Sequence, residues 1–240
     1  MRDSPIWPDV FRARLAHERT DSISTSRAPS LPKILPQILV VVEGINDIQF
    51  LRHVSATLHA ADPTVPDLGR RERLGELIFV PFGGGDPFLW TSRLAGLGPA
   101  EFHLMDRDDP PETESHERAV SLVNLRPRCR AVLTRKRSLE NYLHPEAIFE
   151  ARGITVAFSD NDNDNVPELI ARHAHDHHPD AVAWDAMPYR ARKRRRDKVK
   201  KWLNREAAAK MTPQRIAQRD PEQEILGWLA TIARLAAGDD

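Results

Sequence analysis

"QILVVVEG", residues 37–44, runs through five aliphatic residues and closes on an acid and a glycine. A continuous apolar run of this kind suits a strand buried on both faces, the kind found in parallel sheets. "INDIQFLRHVSATLHA" (45–60) follows, with Ile45, Ile48, Leu51, Val54 and Leu58 at helical spacing. Three more apolar runs repeat the theme: "ELIFVPFGGG" (76–85), "EFHLM" (101–105) and "CRAVLT" (129–134). Between them, "DPFLWTSRLAGLG" (86–98) predicts a helix entered through Asp86, with Pro87 at its first position. "TESHERAVSLVNL" (113–125) predicts another, opened by a Thr/Ser–Glu capping pattern. "DPTVPDLGRRERLG" (62–75) reads as a loop. The order βαβαβαβ implies an α/β fold, a mostly parallel sheet flanked by helices.

Around that core, residues 1–36 are rich in Ser and Pro and read as a tail or linker. The core is expected over 37–158, a polar loop and linker over 159–189, and a basic helical C-terminal extension over 190–240. The 240 residues are 40% hydrophobic and 29% charged, enough for a real core, and the formal net charge is zero. Any attraction to nucleic acid must therefore be local. Cys129 is the single cysteine, which excludes an internal disulfide framework and fits a reducing cytoplasm. No apolar run is long enough to span a bilayer, and no membrane is expected as a partner.

Open parallel sheets place their sites at the carboxyl ends of strands. There the first strand ends in Glu43 and the third in "MDRD", with Asp106 and Asp108. Asp47 follows Glu43 by one helical turn, and Asp108 can point with Asp106 if the chain stays extended. "RSLENYLHP", after the fourth strand, adds Ser138 and Glu140. Converging carboxylates cannot all ionise cheaply, so protons or a divalent cation must neutralise them. Hard oxygen donors with no His or Cys among them favour Mg²⁺ or Mn²⁺ over Zn²⁺.

"VVVEGINDIQFL", "FVPFGGG", "HLMDRD" and "RSLENYL" together resemble the TOPRIM domain, the Rossmann-like fold of topoisomerases, primases and small nucleases. The Glu-x-x-x-Asp spacing and the Ser-x-Glu-Asn-Tyr-Leu run are most similar to OLD-type (overcoming lysogenization defect) nucleases. The resemblance covers about residues 37–150, and 190–235 more weakly. It implies a two-metal site that hydrolyses DNA phosphodiester bonds, with RNA left open as substrate. Glu43, Asp106 and Asp108 match the central ligands of two Mg²⁺ or Mn²⁺ ions, and Asp47, Ser138 and Glu140 match the second set. The family pattern also has a downstream lysine, for which Lys193, Lys198, Lys200 and Lys201 compete. Lys200 is preferred because an apolar residue, Leu203, follows three positions on.

The chain holds no G-x-x-x-x-G-K-[ST], so the resemblance is to the nuclease half alone, and a separate ATPase is left open as a partner. The competing reading is a non-catalytic TOPRIM module that binds nucleic acid or that ATPase. "RARKRRRDKVKK" (190–201) holds nine basic residues and one acid, a patch suited to tracking phosphates through Arg192, Lys193, Arg194, Arg195, Arg196, Lys198 and Lys201. "SDNDNDNVPELIARH" (159–173) lacks the glycine and glutamate of a calcium loop and reads as a flexible polar loop. His173 and His177, one turn apart, read as a solvated helix end, and "FGGG" as a tight turn beside the acids.

Overall fold

Ile38–Val42 form strand β1, every residue of it buried. It pairs in parallel with β2 (Leu77–Pro81) on one side and β3 (Ala100–Met105) on the other, so that Val40 lies opposite both Phe79 and Phe102. Strand β4 (Cys129–Leu133) adds to β3, again in parallel, which gives a four-stranded sheet of order β2-β1-β3-β4. Both central strands are buried throughout, as expected of a parallel sheet covered on both faces. The computed structural model describes residues 36–83, 86–157, 163–177 and 182–239, all within one unit spanning Ile34–Asp240. Most of the expected N-terminal tail, Gly84 and Gly85, the start of the polar stretch and His178 lie outside the described residues.

Helix α1 (Ile45–Ala61) buries Ile48, Leu51, Val54 and Leu58 as their spacing predicts. Ile45 departs from that expectation and is exposed. The buried arc runs through Asp47, Leu51, Val54 and Leu58, which leaves Ile45 on the far side of the helix. The expected 62–75 loop contains a short helix, α2 (Leu68–Arg73), whose first turn is capped by the Asp67 carboxylate accepting from Arg70 N at 3.0 Å. Six residues are too few to register as a periodic pattern.

The helix expected over 86–98 is instead two single 3₁₀ turns, Pro87–Trp90 and Ala95–Leu97. Asp86 does cap the first, accepting from Phe88 N at 2.9 Å. The Thr91 hydroxyl then donates to the Phe88 carbonyl, and Gly96 and Gly98 raise the cost of continuing. Helix α3 (Glu112–Val123) begins without a side-chain cap. Thr113, read as part of that cap, donates its hydroxyl to the Asp108 carbonyl instead, at 3.1 Å.

Helix α4 (Pro145–Arg152) follows the acid-bearing turn. The supposed polar linker then holds a further helix, α5 (Val166–Asp176), which Asn165 caps at Glu168 N and which buries Val166, Ile170 and Ala171. The asparagine run before it hid this apolar stripe. The basic stretch forms α6 (Tyr189–Trp202), continues through a π-helical turn (Leu203–Ala207), and is followed by α7 (Pro213–Arg219) and α8 (Glu224–Ala237). Val199, Leu203, Ile216, Trp228 and Ile232 join the same buried core as β1 and α1, and α8 packs on β3 and β1. Among the described residues no helix is long and apolar enough to cross a membrane.

Candidate metal centre at the carboxyl edge of the sheet

The strand order decides where this site lies. From β1 the chain steps outward to β2, then returns past β1 to β3 and continues to β4. Connections of opposite direction diverge between β1 and β3, and open α/β sheets hold ligands in the crevice at such a switch point. Glu43 follows β1 and Asp106 follows β3 at that place. The Glu43 side chain accepts a hydrogen bond from Asp106 N at 3.0 Å, which pins the two strand ends together.

Each further acid has its own anchor. Asp47 is buried in the first turn of α1, its carboxylate accepting from Gly44 N at 2.8 Å. Asp106 accepts from Leu139 N at 3.0 Å, which ties β3 to the turn carrying Ser138 and Glu140. Asp108 adopts φ of 53°, the left-handed region, so the chain does not stay extended after Asp106 as the sequence suggested. Asparagine and aspartate tolerate this region better than other side chains, and such strain gathers at functional sites. The Asp108 amide donates to the Arg137 carbonyl, which holds the turn closed. Glu140 is fully buried, and one of its oxygens accepts from Asn204 Nδ2 at 2.5 Å.

Lys200 enters this cluster from α6. Its Nζ lies 3.5 Å from Asp106 Oδ2 and 3.7 Å from Glu140 Oε1. The other three lysines considered do otherwise: Lys193 pairs with Asp197, while Lys198 and Lys201 face solvent. Of the four, Lys200 is the one placed beside the acids. Glu140, Asp106, Asp47 and Glu43 together raise its pKa well above the ordinary lysine value, so the ammonium stays charged.

One cation does not offset all these acids. Burial, reinforced by Asp47 and Asp108, pushes the Glu43 carboxyl up to about 7. Burial likewise pushes Asp47 up to about 6, even though Lys200 pulls the other way. Asp106, enclosed and facing Glu43, is raised well above the carboxylate range, and burial raises Asp108 despite Lys200, His116 and Arg137. The second oxygen of Glu140, Oε2, is buried without a hydrogen-bond partner. Buried, partly unsatisfied carboxylates of this kind fit a divalent cation, because cation binding would supply the missing charge and coordination.

Ser138 also lines the cleft with Asp106, Asp108, Glu140 and Lys200, and its hydroxyl donates to Asn141 Oδ1 at 3.0 Å. Three residues at the site were missed from sequence. His116 lies close to Glu43 and Asp108, a histidine that the hard-oxygen expectation did not include. Asn204 positions Glu140 from the π-helical turn, a distortion often found at functional sites. Arg137 lines the cleft and pairs with Asp109 at 2.5 Å. Spacing from a strand end cannot reveal His116 or Asn204, which arrive from separate helical segments, whereas Arg137 lies beside Ser138 in the turn after β4.

The basic helix is two-sided. Arg194, Arg195, Lys193, Lys198 and Lys201 face solvent, as expected of a phosphate-tracking surface. Arg196 corrects that picture: it is half-buried, pairs with Glu168 at 3.0 Å and lines the cleft. Arg192 is half-buried too, 3.9 Å from Asp185. Arg192, Arg196 and Lys200 recur every four residues, one stripe leading along α6 into the acids. His173 is half-buried and His177 exposed at the end of α5, with a His177 ring nitrogen bonded to the His173 carbonyl.

No family model matches the chain, and no curated protein or solved structure matches it either.

Proposed function

We propose that this chain is a divalent-metal-dependent nuclease of TOPRIM type, most similar to the nuclease half of OLD-type enzymes, and that it hydrolyses DNA phosphodiester bonds. The observation that carries the reading is the convergence of Glu43, Asp106, Asp108 and Glu140 with Lys200 at the topological switch point. The all-parallel sheet supports the fold part of the proposal.

Glu43, Asp47, Asp106, Asp108 and Glu140 would hold Mg²⁺ or Mn²⁺, two ions in the full reading, with Ser138 as a neutral oxygen donor beside them. Bound metal of this kind supplies Lewis acidity and lowers the pKa of a coordinated water. The chain's own part is electrostatic and positional. Lys200 is fixed where it can stabilise negative charge building on a phosphate oxygen. Arg196 and Arg137 stand at the mouth of the cleft, placed to meet neighbouring phosphates. The outward face of α6 adds sequence-independent attraction to the nucleic-acid backbone.

The deciding experiment incubates supercoiled plasmid with purified protein and Mn²⁺ or Mg²⁺, then with EDTA. Nicking or linearisation that EDTA abolishes is expected. Folded protein that binds DNA but cuts neither DNA nor RNA would instead identify a non-catalytic binding module.

A further inference from the structure

His116 reaches the acid cluster from α3, a helix that carries none of the strand-end acids. It is 7% exposed, and one of its ring nitrogens, a Glu43 oxygen and an Asp108 oxygen all lie within 4.8 Å of one another. Its Nδ1 lies 2.7 Å from the Asp106 carbonyl oxygen. A carbonyl can only accept, so Nδ1 carries the proton there. In the neutral ring the lone pair is then left on Nε2. Metal-ligating histidines are oriented in this way, one ring N–H donated to a backbone carbonyl so that the other nitrogen is free to coordinate. Here the orienting carbonyl belongs to Asp106, itself one of the acids. Glu140 lines the adjoining cleft, and its buried Oε2 has no hydrogen-bond partner, an independent sign of a carboxylate suited to coordinate a cation.

We propose that His116 is a nitrogen ligand, and that the corner formed by Glu43, Asp108 and His116 is a mixed nitrogen and oxygen site selecting Mn²⁺ over Mg²⁺. Mg²⁺ prefers an all-oxygen shell, whereas imidazole favours transition metals. The proposal rests on the metal-centre reading above and does not require the chain to cut nucleic acid.

The test is electron spin-echo envelope modulation on Mn²⁺ bound to the full chain, with Mn²⁺ and Mg²⁺ affinities measured by calorimetry. Wild type should show nitrogen modulation from an imidazole, and His116→Gln should lose it. The variant's Mn²⁺ affinity should fall by at least about tenfold, with a much smaller change for Mg²⁺. A variant with His173 and His177 both replaced by Gln should keep the modulation, excluding that pair as its source. If His116→Gln does not fold, wild type and this double variant still decide: modulation surviving in both supports the assignment. Bound Mn²⁺ without nitrogen modulation overturns it. Nitrogen-coordinated Mn²⁺ without plasmid cleavage leaves the ligand standing and removes the nuclease reading. No Mn²⁺ binding at millimolar concentration overturns both.

Discussion

Lys200 Nζ lies 3.5 Å from Asp106 Oδ2 and brings the only lysine ammonium of α6 that reaches the acid cluster among the described residues. This ion pair joins the C-terminal helices to the strand-end site, so the site needs both halves of the chain. Lys200→Ala should leave DNA affinity almost intact and cut the cleavage rate by about 10²-fold or more, the size expected when one charge stabiliser is removed. Single-turnover rates at saturating DNA check this. A variant that cleaves normally would remove Lys200 from the chemistry.

Asp106 and Asp108 both call for asparagine rather than alanine. Asp106 accepts from Leu139 N, so an alanine there would lose a structural bond as well as a charge. Asp106→Asn keeps an acceptor and removes only the charge. It should abolish cleavage while raising or preserving the melting temperature in EDTA, because a crowded buried carboxylate is neutralised. Asp108→Asn should do the same, since asparagine also tolerates the left-handed backbone at φ of 53°. Near wild-type rates in either variant would take that residue out of the site.

The same crowding fixes a sign for the pH dependence of stability. Glu43 and Asp47 sit at about 7 and about 6 in the folded chain, above their ordinary values. A carboxyl raised on folding contributes stability that is fully present below its unfolded pKa, about 4, and is lost as pH rises through the folded value. Metal-free protein should therefore lose stability from about pH 4 to 7. Mn²⁺ should restore it most at the alkaline end, where the ligands are ionised. His53 and His144, held below the ordinary histidine value by burial, act the other way in the acid part of this window. Melting curves in EDTA against pH for wild type and Glu43→Gln isolate the carboxylate contribution. A Glu43→Gln curve parallel to wild type would show that Glu43 ionises without cost.

Much of this centre was legible in the sequence because its acids sit where strands end. The aliphatic run before Glu43 and "EFHLM" before Asp106 announce buried parallel strands, and the sheet's connectivity then forces their ends together. Glu140 was legible in the same way, from its place after the fourth strand, whereas Lys200 was found only through a family resemblance, since no local period links residue 200 to residue 43. His116 and Asn204 were missed for a related reason. Each is an ordinary polar residue on its own helix, and its role depends on a nearby distortion of the backbone: the left-handed Asp108 for His116, the π-helical turn for Asn204. Arg196 was misread because a run of basic residues hides which of them face Glu168.

Binding and chemistry should separate on α6. Arg194, Arg195, Lys198 and Lys201 are exposed, and neutralising all four should weaken DNA binding most at low salt. The slope of log K against log salt should flatten by about 0.9 for each phosphate that the variant no longer neutralises. Cleavage at saturating DNA should persist. Unchanged affinity across salt concentrations would reduce this face to a solvated surface.

Asn204 donates to the fully buried Glu140 and to the Lys200 carbonyl, the latter 2.9 Å away. It therefore holds the acid and the helix segment carrying the lysine in one arrangement, without facing substrate itself. Asn204→Leu removes the donor to a buried carboxylate, whose other oxygen already lacks a partner. Leaving a buried acceptor unsatisfied costs about 1–3 kcal/mol, so the metal-free variant should melt several degrees lower. Because the fault is a missing donor to Glu140, saturating Mn²⁺ should recover more of this loss in Asn204→Leu than it adds to wild type. Asn204→Asp should do worse still, adding a like charge beside Glu140. Melting temperatures of both variants with and without Mn²⁺ test the assignment. Equal metal-induced shifts in Asn204→Leu and wild type would mean that Asn204 supports the fold alone and plays no part in positioning Glu140.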